Sequence, residues 1–330
     1  MEWNSPNFRN GTFHNELPTL LMSADNTMLK VFIKFMRKPK SVNPPGPLPS
    51  VRRDLKSPPG PGTTITWFGH SSYLIQMNGW NILVDPVFSN YASPVPIFAK
   101  AFAGTNIYSV DDLPDVIDML IITHNHYDHL DRRTISRLCN RINSVYTSLG
   151  VMADLIRYGI DGGIITELDW WEEIDLPVGL NLTATPARHF SGRGMKRNQS
   201  LWSSFVLESD SEKLYLGGDS GYGPHFKLIG DRFGPFDLAI LETGQYNTDW
   251  ANIHMMPEEA VQAAADLRTR AMLPVHWAKF SLAFHPWDEP VRRVLAEAQK
   301  TGIPVATPMI GEAMVLHQPL PQSPWWEKVK

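Results

Sequence analysis

The chain has 330 residues, 43% of them apolar, enough to bury a sizeable core in one large domain or two ordinary ones. Its 30 basic and 34 acidic residues leave a net charge of −4, which excludes a global electrostatic drive toward nucleic acid or anionic lipid but allows a local basic patch. A single cysteine, Cys139, excludes an internal disulfide framework and a thiolate zinc cage, so any metal must take nitrogen and oxygen ligands, and it suits a reducing compartment.

The opening residues, "MEWNSPNFRNGTFHN", hold no apolar segment behind a basic start, which argues against a cleaved secretory signal. No stretch reaches the roughly 18 to 20 uninterrupted apolar residues of a membrane span. The expectation is a soluble or peripheral protein of the cytoplasm. In "MLKVFIKFMRK" (28–38), Lys30, Lys34, Arg37 and Lys38 fall on one side of a helical projection, with Leu29, Phe32, Ile33, Phe35 and Met36 on the rest. Such a basic amphipathic helix either packs its apolar face on the domain or on a second copy, or docks on a lipid surface. The stretch 39–62 carries eight prolines and reads as an extended linker, because proline fixes φ and lacks an amide proton. Residues 1–62 are therefore expected to form an N-terminal arm, and 63–330 the folded domain.

From Thr63 onward, short β-branched runs recur: "TTITWFG", "SYLIQMN", "WNILVD", "DMLIIT", "NLTATPA", "SSFVLES", "KLYLGGD", "DLAILET" and "AMLPVHW". Turn-forming Gly, Asn, Asp or Pro separate them. Helical patterns intervene near 131–141, 148–158, 257–269 and 288–301, the third opened by Pro257 and two acids. A mixed α/β domain with much antiparallel pairing follows.

Chemistry concentrates where these strands end. "IITHNHYDHLD" (121–131) places His124, His126, Asp128 and His129 in a loop directly after an apolar strand, with more nitrogen and oxygen ligands than one tetrahedral ion needs. The spacing implies two metals. Distant strands repeat the arrangement: "NLTATPARHF" delivers His189, "KLYLGGDS" Asp219 and "AMLPVHW" His276. Alone, His189 or His276 would read as an ordinary hydrogen-bonded histidine; the three together, repeating one strand-then-ligand arrangement, read as ligands.

The series His124-Asn125-His126-Tyr127-Asp128-His129, then His189, Asp219 and His276, resembles the HxHxDH, His, Asp, His signature of the metallo-β-lactamase fold superfamily. "WFGHSSYLIQMNGWNILVDPVFSNYASPV" (67–95) and "IHMMPEEA" (253–260) are similar to the branch that contains N-acylphosphatidylethanolamine-hydrolysing phospholipase D and its bacterial relatives. The resemblance covers about residues 63–315. It implies an α+β fold, a four-layer αβ/βα sandwich of two mixed sheets between outer helices. It also implies two divalent ions, zinc above manganese or iron: His124, His126 and His189 on one, Asp128, His129 and His276 on the other, and Asp219 bridging. Asp128 would further orient the attacking water or take its proton.

Outside that set, His70 in "WFGHSS" and Asp85 in "ILVDP" either orient ligands or, respectively, sit as an interior histidine and cap a turn. His254, extra to the seven, is placed by the resemblance beside the metals, where it would bind a substrate oxygen or protonate a leaving group. Its neighbours Gln245, Tyr246, Asn247 and Trp250, with Asp249, form a polar and aromatic loop that could line a substrate pocket.

The activity implied is metal-dependent hydrolysis of a phosphodiester, N-acylphosphatidylethanolamine or a similar phospholipid, cut in the phospholipase D manner by a metal-activated hydroxide. A small soluble lactone or phosphate ester is the alternative substrate, and a metal-binding scaffold without turnover is a further alternative. The mildly acidic chain shows no basic stripe for nucleic acid. Peripheral membrane contact through 28–38, an apolar entrance built on Phe88, Tyr91, Pro94, Pro96, Ile97, Phe98 and Phe102, and a homodimer complete the expectations.

Overall fold

A computed structural model describes residues 3–22, 34, 37–57, 62–95, 99–194 and 196–330. Two sheets carry the domain. The first is seven-stranded in the order β15-β3-β4-β5-β6-β7-β8: β3 (Thr64–Trp67), β4 (Tyr73–Met77), β5 (Trp80–Val84), β6 (Met119–Ile122), β7 (Val145–Ser148), β8 (Ile165–Leu168) and β15 (Ala313–Val315). It is antiparallel from β15 to β5 and parallel from β5 to β8. The second is six-stranded, β14-β13-β12-β11-β10-β9: β9 (Glu173–Leu176), β10 (Leu180–Pro186), β11 (Ser203–Ser209), β12 (Lys213–Leu216), β13 (Leu238–Glu242) and β14 (Met272–Val275). Here the pairs from β9 to β12 are antiparallel, and β12-β13 and β13-β14 are parallel.

The period-2 pattern of the strands decides the layers. Tyr73, Ile75 and Met77 of β4 and Met119 and Ile121 of β6 share one buried cluster with Leu182, Phe205, Leu207, Leu214, Leu216 and Ile240 of the facing sheet. The alternate residues look outward: Leu74, Leu83, Leu120 and Ile122 pack under α1 (Arg132–Leu138) and α2 (Met152–Arg157). On the other side, Val206, Tyr215, Ala239 and Leu241 pack under α3 (His225–Phe233), α4 (Pro257–Asp266) and α5 (Glu289–Thr301). The four-layer αβ/βα sandwich is thus formed.

Several elements lie beyond the sequence reading. Helix α3 was not anticipated because Gly230 interrupts its pattern; a Cβ there would come within 2.0 Å of the Asp266 carbonyl of α4, so the glycine serves a close helix crossing. Strands β7, β8, β9 and β15 are short and were not anticipated either.

The described part of 1–62 lies on the domain. A two-stranded ribbon, β1 (Phe8–Arg9) with β2 (Thr12–Phe13), buries Phe13 against Trp170, Ala187, Leu201 and Trp202. In the described part of the proline-rich stretch, residues 39–57, a short helical turn (Lys40–Val42) departs from the extended linker expected, and Leu48 and Leu55 are buried. The basic helix expected at 28–38 falls mostly outside the described residues. Of its charges, Lys34 Nζ donates to Asp249 Oδ2 at 2.6 Å and Lys38 Nζ to the Ser281 carbonyl at 2.8 Å. Among the described residues no helix is long and apolar enough to cross a membrane.

Candidate metal centre

The ends of six strands, with two loops, converge on one buried cluster. The 123–131 loop after β6 carries His124, His126, Asp128 and His129. His189 follows β10, Asp219 follows β12, Glu242 ends β13, His276 follows β14 and Asp85 follows β5. His70 comes from the β3–β4 turn, and His254 from the segment before α4.

Two four-residue groups each bring one ligand atom per residue within 4.8 Å of one another: His124, His126, His189 and Asp219; and His70, Asp128, His129 and His276. Asp219 joins them. Its Oδ2 lies 3.9 Å from His124 Nε2, 3.7 Å from His189 Nε2, 3.2 Å from His129 Nε2 and 3.3 Å from His276 Nε2. A third group, Asp219, Glu242, His254 and His276, shares Asp219 with the first and His276 with the second.

These groups fit metal ions. His129 Nε2 and Asp219 Oδ1 are buried without a hydrogen-bond partner, and such orphans are rare unless an ion or water takes them up. The donors are imidazole nitrogens and carboxylate oxygens, which suit zinc, manganese or iron.

A second ring of contacts fixes ring orientation. Asp85 accepts Thr123 N at 2.9 Å on Oδ1, and on Oδ2 both Thr123 Oγ1 and His129 Nδ1 at 2.7 Å. His70 Nε2 is 2.9 Å from Asp128 Oδ2, and His276 Nε2 is 3.3 Å from the same oxygen. The Ile253 carbonyl lies 2.9 Å from His189 Nδ1, leaving Nε2 toward the cluster. Outer partners of this kind set the tautomer that presents a lone pair.

Burial and charge divide the histidines. Burial depresses His70 to about 3 and His126 to about 4, and holds His124 and His189 well below the usual range, so all four are neutral, the form that ligates. For His129 and His276 burial acts in the same direction, but Asp219 foremost overrides it, raising His276 to about 10 and His129 well above the ordinary value. Asp128 and Asp219 are buried, yet their histidine neighbours, His129 first, hold them well below the usual carboxylate range.

His70, Asp85 and His276 adopt φ of 53°, 41° and 67°, costing about 1–3 kcal/mol each. Backbone bonds hold two of them against each other: His276 N donates to the His70 carbonyl at 3.0 Å, and His70 N to the Trp277 carbonyl at 2.9 Å.

Two residues were not anticipated. Glu242, buried, accepts Ser220 N at 2.8 Å and lies 2.7 Å from His254 Nδ1 and 3.2 Å from His276 Nδ1. The signal was present, since it ends an apolar strand, and the candidate ligands likewise stand at or after strand ends. Asn15 brackets the His189 backbone, donating to its carbonyl at 2.8 Å and accepting its N–H at 3.1 Å, and nothing local in the sequence marks it.

The side chains of the loop after β13 are engaged with neighbouring segments. Gln245 is buried, its Oε1 taking Leu282 N and Ala283 N at 2.7 and 3.0 Å and its Nε2 donating to the His276 and Phe280 carbonyls. Tyr246 stacks on His285 with centroids 4.3 Å apart and donates to Glu289 at 2.6 Å. Asn247 caps the next turn by accepting Asp249 N, and Trp250 Nε1 donates to the Gln245 carbonyl. Of the expected apolar entrance, Phe102 is in the central core and Phe88 packs on Phe68; Pro96, Ile97 and Phe98 lie outside the described residues.

The model of the β-lactamase superfamily domain matches residues 80–277, from β5 to the turn that carries His276. The chain belongs to the metallo-β-lactamase superfamily. It is a metal-dependent hydrolase of that superfamily by descent and by its clustered ligand residues. An uncharacterized protein of Mycobacterium tuberculosis is 37% identical over 327 residues, 98% of this chain and 87% of that protein. The Caenorhabditis elegans N-acyl-phosphatidylethanolamine-hydrolyzing phospholipase D 1 is 32% identical over 238 residues, 67% of this chain and 65% of the relative. Among solved structures, the metallo hydrolase Igni18 of Ignicoccus hospitalis shares the fold with a TM-score of 0.60 and 21% identity, covering 78% of this chain and 99% of that one.

Proposed function

We propose that this superfamily hydrolase is a binuclear phosphodiesterase that cleaves phospholipids of the N-acylphosphatidylethanolamine type. The observation that carries the binuclear part is Asp219 Oδ2, within 3.2–3.9 Å of four histidine nitrogens drawn from both ligand groups. His124, His126 and His189 would hold one ion, Asp128, His129 and His276 the other, and Asp219 both, with zinc the metal of choice for this donor set. Bound there, the ions supply Lewis-acid polarisation of the phosphoryl oxygens and a lowered pKa for water. The similarity to the C. elegans phospholipase D supports the substrate class.

The chain's own residues then have defined tasks. Asp128, held by His70, orients the attacking water and takes its proton as the new O–P bond forms. His254 is fixed through Nδ1 by Glu242, so Nε2 is the atom that can hand a proton to the departing ethanolamine oxygen as its bond to phosphorus breaks. Phosphatidic acid and an N-acylethanolamine leave. Segment 28–38 is proposed to bring the protein to the lipid surface.

The test is mass-spectrometric product analysis after zinc-loaded protein meets vesicles containing N-acylphosphatidylethanolamine, with Asp128→Asn as control. Release of both products by the wild type alone supports the reading. No turnover from a protein that holds two zinc ions would refute the substrate and send the search to small lactones and soluble phosphate esters; a protein holding one ion would refute the binuclear assignment.

A further inference from the structure

On the face of the ligand loop formed by Tyr127 and Asp131 lies a cavity of about 400 Å3, and none of the seven histidine and aspartate ligands lines it. Four arginines do: Arg132, Arg133, Arg157 and Arg193, against two aspartates. Both aspartates are already engaged. Asp131 accepts Ser89 N, Arg133 N and Thr134 Oγ1 at 3.0, 3.1 and 2.5 Å, and Asp154 accepts Asn125 Nδ2 and Arg157 Nη1 at 3.0 and 2.9 Å. The guanidinium groups of Arg132 and Arg133 make no hydrogen bond or ion pair among the described residues. Positive charge therefore stands in excess at one concave place on a chain whose net charge is −4.

The floor of the cavity is built. Arg193 Nη1 donates to the carbonyls of Asn125, His126 and Leu130 at 2.9, 3.3 and 2.6 Å. Its guanidinium lies 4.1 Å from the centroid of Tyr127 and 5.4 Å from that of Tyr158, and Tyr127 Oη donates back to the Arg193 carbonyl at 2.7 Å. One edge of a planar cation is thus fixed before any ligand arrives, which lowers the ordering cost of binding.

We propose that this cavity is a second anion site that takes a phosphate group. Arginine forks match phosphate oxygens in pairs, and the volume admits a phosphate with a glycerol-sized remainder but not two acyl chains. The phosphate can come from a soluble monoester or from a lipid headgroup that reaches in from a surface. The site shares no ligand residue with the histidine centre, so it stands or falls separately from the reaction assigned there.

The experiment uses zinc-loaded full-length protein and isothermal titration with inorganic phosphate and with glycerol 3-phosphate, and sedimentation with phosphatidylcholine vesicles made with and without phosphatidic acid. Wild type is compared with the double variant Arg132→Ala/Arg133→Ala and with Arg133→Glu. Both positions are exposed, so the fold should persist, and zinc content and melting temperature verify it. The expected result is a binding event that weakens about tenfold or more in both variants, while zinc content is unchanged. Loss confined to the soluble probes identifies a free phosphate ester; loss confined to phosphatidic acid vesicles identifies a headgroup. Identical binding of every probe by wild type and variants would overturn the proposal and leave the cavity a solvated basic surface.

Discussion

Replacing Asp85 by asparagine tests whether its carboxylate sets the tautomer of His129. The change is nearly isosteric, so packing is conserved while one oxygen becomes a donor. If the amide oxygen keeps Thr123 N, at 2.9 Å in the wild type, the NH2 faces His129 Nδ1 from 2.7 Å. His129 must then accept at Nδ1 and carry its proton on Nε2, the atom 3.2 Å from Asp219 that is meant to hold an ion. If the amide flips, the NH2 confronts Thr123 N–H and orphans a buried donor, at about 1–3 kcal/mol. Both arrangements cost the Asp128–His129–His276 ion far more than the one on His124, His126 and His189. The expected outcome is a second zinc bound about 10–100-fold more weakly, with hydrolysis falling in parallel and the first zinc little changed. Competition against a chromophoric chelator, with zinc counted by mass spectrometry, measures it. Two zinc ions held as tightly as in the wild type would refute the tautomer argument.

Three further outcomes are expected. Lys279 is fully buried, donating to the Phe68 and Val87 carbonyls, and burial lowers its amine to about 7. The unfolded lysine keeps its proton to about pH 10.4, so the unfolded chain binds more protons between these values and stability rises with pH across that window. Lys279→Met should flatten the rise, read from denaturant midpoints between neutral and alkaline pH; equal slopes in both proteins would contradict the burial argument. Gly221→Ala would bring a Cβ within 2.0 Å of the Asn252 carbonyl and push the segment that holds His189 and carries His254. A loss of about 1–3 kcal/mol in unfolding free energy, together with reduced turnover, is expected, and an unchanged melting curve counts against it. Asn15→Ala should cost about 1–3 kcal/mol by unpairing the His189 backbone and should loosen the ion on His124, His126 and His189, checked by zinc retention during dialysis.

The strands that matter most to the centre were legible because each combines an apolar run with a polar residue at its end. Met119–Ile122 followed by His124, and Met272–Val275 followed by His276, are of this form. Strands β4 and β6 read as nearly continuous apolar runs because both of their faces are buried, each by a different layer. Strands β7 to β9 are as long as β6, but polar residues break their apolar runs ("VYTS", "ITEL", "EIDL"), and Gly230 hid helix α3 because its reason lies in α4, 36 residues later.

Side-chain direction is what the sequence does not carry. Gln245 and Tyr246 sit nine and eight positions before His254, and nearness in sequence made them pocket candidates. In the fold, Gln245 instead ties the His276 turn to residues 280–283, and Tyr246 ties α5 to His285. Gln245 thereby holds the turn on which His276 is strained, which supports the centre from behind. Glu242 shows the opposite case. A glutamate closing an apolar strand reads as the first residue of a turn, but the parallel pairing of β13 with β12 and β14 places it between Asp219 and His276. Its carboxylate then meets both His254 and His276, so the proton donor proposed for the leaving group and a proposed metal ligand share one anchor. A change at Glu242 must therefore move two functions together, whereas a change at Asp85 moves one, and the ratio of lost turnover to lost zinc separates the two carboxylates.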